Sequence, residues 1–214
     1  MNMTVTSIDE YPKGKGKVAV YLNNEFAFVL YKGELAKYGI SEGAEVDDEK
    51  YDRLMREVLI KRATKRGMNL IKTIDRTESD IRTKLSDNGY PEAAIDAAVD
   101  YLKSFKYIDD LRYASEYYRF KINSLSRKVI ESKLFEKGIP REIIDEALNG
   151  YEEEMGVDSH ESGITLIIKL IKKRCPNGVE EITYEEKQKL FAYLYRKGFS
   201  VTEIEEAYHS ISSK

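Results

Sequence analysis

Apolar and polar positions alternate along the first thirty residues, and then the period changes. Thr4, Val5, Thr6 and Ile8 make a short β-prone run, and Val18, Val20 and Leu22 alternate with Ala19 and Tyr21. Phe26, Phe28 and Leu30 continue the alternation beyond Asn23 and Asn24. A period of two places one set of side chains on one face of a strand. Paired asparagines tolerate the positive φ of a two-residue hairpin turn. Residues 3–32 are therefore predicted to form a small antiparallel meander. Two or three strands are marginal alone, so the meander should lean on the helix after it. Beyond Asp47 and Asp48 the spacing turns helical, with Leu54, Met55, Val58, Leu59 and Ala63 on one face. Gly67 is expected to break or loosen this helix before Leu70, Ile71 and Ile74.

From there the pattern repeats. Aligned on Gly89, Gly138 and Gly198, the position eight before holds Ile81, Ile130 or Leu190, and the position four before holds Leu85, Leu134 or Leu194. One after stands Tyr90, Ile139 or Phe199; six after, Ile95, Ile144 or Ile204; nine after, Ala98, Ala147 or Ala207. Each copy reads as a helix closed by a left-handed glycine cap and followed by a second helix with a buried Ile/Ala face. Thr77 and Ser126 are N-cap candidates, Pro91 and Pro140 suit a first helical turn, and Ser200 with Glu203 suits a capping box. One more amphipathic helix precedes each pair, near residues 48–74, 109–123 and 161–174.

The predicted fold is mainly α: three tandem three-helix repeats forming an elongated, curved body, with a small N-terminal antiparallel β element. The expected divisions are a β-rich extension (1–46) and repeats over 47–106, 107–158 and 159–214.

Composition agrees and adds a charge asymmetry. The 214 residues include only 13 Gly and 4 Pro, and 35 Lys and Arg stand against 38 Asp and Glu. The net charge of −3 conceals segregation. From Arg53 to Arg76 eight basic residues face only Glu57 and Asp75, and from Arg119 to Arg141 seven face Glu131 and Glu136. Glu142 to Glu161 holds eight acids and no Lys or Arg. No apolar run reaches the roughly 20 residues of a membrane span, the first 30 residues lack a secretory pattern, and Cys175 is the sole cysteine. A cytoplasmic monomer with no cofactor is expected.

Tyr107-Ile108-Asp109-Asp110-Leu111-Arg112-Tyr113-Ala114, continuing through Tyr117 and Arg119 to Ile130, Leu134 and Lys137-Gly138-Ile139, resembles the central motif of the RecX family. Arg76-Thr77-Glu78 leading to Ile81 and Leu85 is similar to that family's first repeat, and Gln188-Lys189-Leu190 with Arg196-Lys197-Gly198-Phe199 to its last. The resemblance runs from about residue 50 to the end and is looser over the first 45. It implies a non-enzymatic modulator, mainly negative, of the RecA recombinase. Such a protein binds the RecA filament on single-stranded DNA in its helical groove and opposes ATP hydrolysis, extension and strand exchange.

Against that background the candidate partner- or DNA-binding residues are Lys61, Arg62, Lys65, Arg66 and Arg76 in the first repeat, with Arg112, Arg119, Lys121, Arg127, Lys128 and Lys133 in the second. Lys61/Lys65 and Arg62/Arg66 recur at i, i+4, so each pair lines one helical face suited to phosphates or an acidic protein groove; a solvated face is the competing reading. Arg112 either pairs with a carboxylate of a neighbouring unit or faces the filament. Asp109 and Asp110 fit a helix start better than a metal site, because adjacent helical residues diverge. Lys169, Lys172, Lys173 and Arg174 end a helix, where the dipole alone accounts for them. Tyr101, Tyr107, Tyr113, Tyr117 and Tyr118 could stack on bases, although packing is the commoner use. His160 and His209 lack ligand spacing, and Lys13 to Lys17 lacks the P-loop pattern.

The expected mechanism turns the basic faces of the first two repeats to the filament groove, while the acidic 142–161 segment faces away or meets a basic surface. A stand-alone DNA-binding protein built on helix-turn-helix-like units is the alternative, disfavoured by the acids in the last two helices of each unit. A helical-repeat adaptor with no DNA connection is a third reading.

Overall fold

The computed structural model describes residues 2–156 and 158–212, without the side chain of Ser159. The chain divides into two compact units, Met1–Asp109 and Asp110–Lys214.

The first unit opens with strands β1 (Met3–Glu10), β2 (Lys17–Leu22), β3 (Glu25–Tyr31) and β4 (Glu45–Val46), antiparallel in the order β3-β2-β1-β4. The β2–β3 hairpin turns on Asn23 and Asn24 at φ 49° and 68°, as a two-residue turn with positive φ at both central positions requires. The alternation predicted β1 to β3. Helix α1 (Lys32–Lys37) and the two-residue β4 were not read from it, being too short for a period to register.

Helices α2 (Asp48–Leu54) and α3 (Ile60–Ile71) are joined through a π-helical turn at Met55–Leu59. Gly67 corrects the expectation of a break, because α3 runs through it. The residue is buried, and a Cβ there would lie 2.7 Å from Leu102 Cδ1. The glycine makes room for α5 (Glu92–Ser104), which follows α4 (Glu78–Ser86). Val18, Val20, Phe28 and Leu30 share one core with Leu54, Leu59, Ile81, Leu85, Ile95 and Leu102. The meander thus leans on all the helices of the first repeat and not just the next one.

The second unit holds α6 (Asp110–Lys121), α7 (Arg127–Glu136), α8 (Arg141–Met155), α9 (Ser159–Arg174), α10 (Tyr184–Arg196) and α11 (Val201–Ser212). Ala114, Ile130, Leu134, Ile144 and Leu148 form one core; Ile167, Leu190, Leu194, Phe199 and Ile204 form another.

The glycine turn is the same object three times. Gly89, Gly138 and Gly198 have φ of 78°, 79° and 88°. Each donates its N–H to the carbonyl three residues back (Ser86, Phe135, Tyr195) at 2.8 Å. The following residue donates to the carbonyl five back, Tyr90 to Leu85, Ile139 to Leu134 and Phe199 to Leu194, at 3.3–3.4 Å. These are both bonds of a Schellman cap. Thr77 and Ser126 cap α4 and α7 by accepting from Asp80 and Val129 N–H, and α10 starts a turn earlier at Thr183, with a full capping box. Pro91 and Pro140 stand at the N-cap, one position ahead of the expected first turn. Ser200 and Glu203 make the expected reciprocal bonds.

Candidate functional site

The basic stretch of α3 separates into two roles. Lys61, Lys65 and Arg66 are exposed. Arg62 is half-buried: it forms an ion pair with Glu34, reaches the Val29 carbonyl at 3.5 Å, and its guanidinium lies 4.8 Å from the centre of the Tyr31 ring. Glu34 also accepts from Tyr31 N–H at 2.8 Å, so Arg62 ties α3 to the end of β3 and the start of α1. Beside the exposed cations lies a recess of about 320 Å³ lined by Lys37, Lys61, Lys65, Tyr38, Glu34 and Glu57. Glu57 accepts from Tyr38 Oη at 3.1 Å and Arg53 Nε at 3.2 Å. Those bonds hold its carboxyl below the ordinary range, with the Tyr38 hydroxyl the larger cause. Both carboxylates of the recess are engaged by neighbours, which leaves Lys61 and Lys65 available to an outside anion.

Arg76 is also turned inward, donating to the Leu70 carbonyl at 2.8 Å and to Asp80 at 2.6 Å, which fixes the passage from α3 to α4.

Asp109 is the last residue of the first unit; in the second, Asp110 opens α6 and Arg112 is exposed in its first turn. Arg119 and Lys121 are exposed at the end of α6, with Glu116 3.5 Å from Arg119. On α7, Lys128 is exposed and Lys133 half-exposed. Arg127 is committed internally. Its Nε meets Glu131 at 2.8 Å and its second amino group meets Asn149 at 2.7 Å. Its other amino group pairs with Glu152, which also accepts the Tyr118 hydroxyl proton. Tyr118 is buried, and burial followed by the Glu152 bond pushes its phenol well above the ordinary value. Tyr113 and Tyr117 stack on each other, half-buried, at 6.4 Å. The three are packing residues. Tyr101 and Tyr107 are exposed and flank Phe105 at 4.8 and 6.0 Å.

The Arg127 site has counterparts that sequence reasoning missed. Eleven and seven residues before its glycine, the first repeat has Glu78 and Arg82, and the second has Arg127 and Glu131. Both pairs close at 2.8 Å with the charges exchanged. Fourteen residues after the glycine, Lys103 meets Glu78 at 2.7 Å, and Glu152 meets Arg127. In the third repeat the same first position is Lys187, which rests 4.4 Å from the Tyr208 ring centre and 5.4 Å from that of Phe191. The signal lay in the register, since the positions share a column of the repeat.

A cleft of about 950 Å³ also opens in the second unit. Ile122, Val129, Leu166 and Phe199 line it, with Lys128 and His160 among its polar groups. Its walls come from residues far apart in sequence. Among the described residues no cluster of His, Cys, Asp and Glu is placed to hold a metal ion, and no helix is long and apolar enough to cross a membrane.

Three units, each with a capped helix, a Schellman glycine and a returning Ile/Ala helix, define a protein of tandem three-helix domains. Residues 63–102, 109–148 and 161–208 match the family models for the first, second and third three-helix domains of RecX. The regulatory protein RecX of Clostridium acetobutylicum is 30% identical over 213 residues, covering 99% of this chain and 97% of that one. The regulatory protein RecX of Caldanaerobacter subterraneus subsp. tengcongensis is 30% identical over 206 residues, covering 96% and 98%. A crystal structure of a regulatory protein RecX aligns with a TM-score of 0.57 at 28% identity, over 99% of this chain and all of that one. That of RecX from Lactobacillus salivarius aligns at 0.57 and 27%, over 72% and 97%. The chain belongs to the RecX family of regulatory proteins.

Proposed function

We propose that this chain is a cytoplasmic, monomeric negative modulator of the RecA recombinase. It binds the RecA filament on single-stranded DNA and inhibits its ATP hydrolysis, extension and strand exchange. The observation that carries the reading is the full-length match to regulatory proteins RecX, whose three domains recur here in order. The chain itself contributes no nucleotide chemistry to this mechanism; the hydrolytic site is the partner's. The contact we assign first is the α3 face at Lys61, Lys65 and Arg66, which offers three cations along one helix beside the recess. Exposed cations in register recognise phosphates or an acidic protein groove. Arg119, Lys121, Lys128 and Lys133 are the corresponding candidates of the second repeat, with Arg112 in the first turn of α6. Arg62, Arg76 and Arg127 support these surfaces by bracing the helices that carry them.

The test is RecA's single-strand-dependent ATP hydrolysis titrated with this chain. Inhibition at substoichiometric amounts is expected. Replacing Lys61, Lys65 and Arg66 by Glu should raise the inhibitory concentration at least about tenfold, a loss of about 1.4 kcal/mol, while circular dichroism stays helical. Unchanged inhibition removes that face. No effect of the wild-type chain on hydrolysis, with tight salt-steep binding to bare DNA, favours a stand-alone DNA-binding protein.

A further inference from the structure

The third repeat gathers a second cationic surface from two helices. Lys172, Lys173 and Arg174 end α9, and Lys189, Arg196 and Lys197 follow one stripe of α10 and its C-cap. Arg174 joins the two groups, because its guanidinium lies 3.8 Å from the centre of the Tyr193 ring on that stripe. Lys197 approaches the same ring at 5.8 Å. Among the described residues none of these six cations has a carboxylate within ion-pair distance, in contrast to Arg119 and Arg127 of the second repeat.

Helix dipoles do not account for this. Each helix end carries about half a negative charge, so α9 and α10 together present about one against six cations. Lys189 also feels the Glu186 carboxylate, so about four charges remain, with three of the six cations spaced over roughly 12 Å of α10. Water and salt screen exposed cations, and a polyanion that follows such a cluster gains by releasing its counterions.

We propose that this surface binds the sugar-phosphate backbone of a single-stranded nucleic acid. Lysine binds phosphate as a point charge and arginine in a bidentate fork, and the six cations are four lysines and two arginines. A single strand bends to follow cations spread over two helices. Its unstacked bases meet the guanidinium platform held over Tyr193, which a duplex with its bases enclosed does not use. Parking Arg174 on the ring fixes a side chain that would otherwise lose freedom on binding. The site does not depend on the RecA reading, since it is tested on bare nucleic acid.

The experiment is fluorescence anisotropy of a labelled oligothymidylate titrated with the full chain between about 50 and 200 mM salt. The variant K172Q/K173Q/K189Q/R196Q should bind at least about tenfold more weakly at the low end. Its slope of log K against log salt should shrink by about 2 to 3, as four lost single-strand phosphate contacts require. Thermal melting by circular dichroism checks that the variant is folded. R174K keeps the charge and removes the platform; it should erase a preference for oligothymidylate over an abasic strand of equal length. Wild-type affinity in the quadruple variant overturns the proposal. So does tighter binding of duplex DNA, equal binding of polyglutamate (which would point to an acidic protein surface), or no binding by the wild-type chain at low salt.

Discussion

The turns at Gly89 and Gly198 share one backbone geometry and rest on unlike supports. A Cβ on Gly198 would sit 2.3 Å from Val129 Cγ2 and 2.4 Å from Ser126 Oγ, and Ser126 N–H donates to the Lys197 carbonyl at 3.3 Å. The third repeat is therefore seated on the capped start of α7 in the second. A Cβ on Gly89 would sit 2.3 Å from Val29 Cγ2, on strand β3. Tyr11 Oη and Lys13 Nζ each donate to the Asp87 carbonyl at 2.9 Å just before that turn. The first repeat is seated on the sheet. The turn is a connector that needs a surface pressed against it. For the first repeat the meander supplies one. The surface under the first turn is β-structure, and the surface under the third is the start of a helix.

The largest expected effects break this comparison directly. Gly198→Ala forces a side chain into positive φ and into Val129, and should cost about 2–5 kcal/mol. Gly89→Ala should cost a similar amount through Val29. Hydrogen exchange separates them: Gly198→Ala should lose protection in α10 and α11 and spare β1 to β3, and Gly89→Ala should do the reverse. Coincident loss in both units for both variants would mean that the seats are not local.

A smaller effect contrasts the clamps. Arg127→Ala leaves Glu152, only 12% exposed, without its guanidinium, and should cost about 2–4 kcal/mol in urea unfolding. Glu78→Ala removes a wetter pair, with Lys103 54% exposed, and should cost about 0.5–1.5 kcal/mol. Equal losses would show that exposure does not distinguish the two versions.

The smallest effect is a pH limb. Burial pushes the Glu78 carboxyl up, but hydrogen bonds and charge from Lys103 and Arg82 more than reverse this and hold it below the ordinary range. Stability from a depressed carboxylate is present above its unfolded pKa, near 4.3 for Glu, and is lost as pH falls through the native value. Melting temperatures of wild type should therefore approach those of Glu78→Gln between about pH 5 and pH 2. A constant gap would remove Glu78 from the acid response.

The repeat register was legible because backbone sterics demand a glycine at positive φ, and because helix period demands buried residues four and eight before it. Asn23 and Asn24 announced the hairpin for the same steric reason. Gly67 misled, since a glycine that admits Leu102 from 35 residues away looks locally like a breaker. The α3 face at Lys61 and Lys65 was visible as spacing. The inward roles of Arg62 and Arg127 were not, because their partners Glu34 and Glu152 lie 28 and 25 residues away. The cations at the end of α9 read as a dipole effect because the other half of their surface belongs to α10.

The π-helical turn at Met55–Leu59 settles a mismatch of period in the longest helical run. Tyr51, Met55, Leu59, Ala63, Gly67 and Ile71 follow one another every four residues, and all six pack into or against the core of the first unit. On an unbroken α-helix that spacing would precess by about 200° over its length, carrying Ile71 to the opposite side from Tyr51. One wider turn absorbs an extra residue, about 100° of rotation, and halves the precession. Lys61, Lys65 and Arg66 ride on the re-phased half, so their outward direction is set by a turn that ends two residues before the first of them.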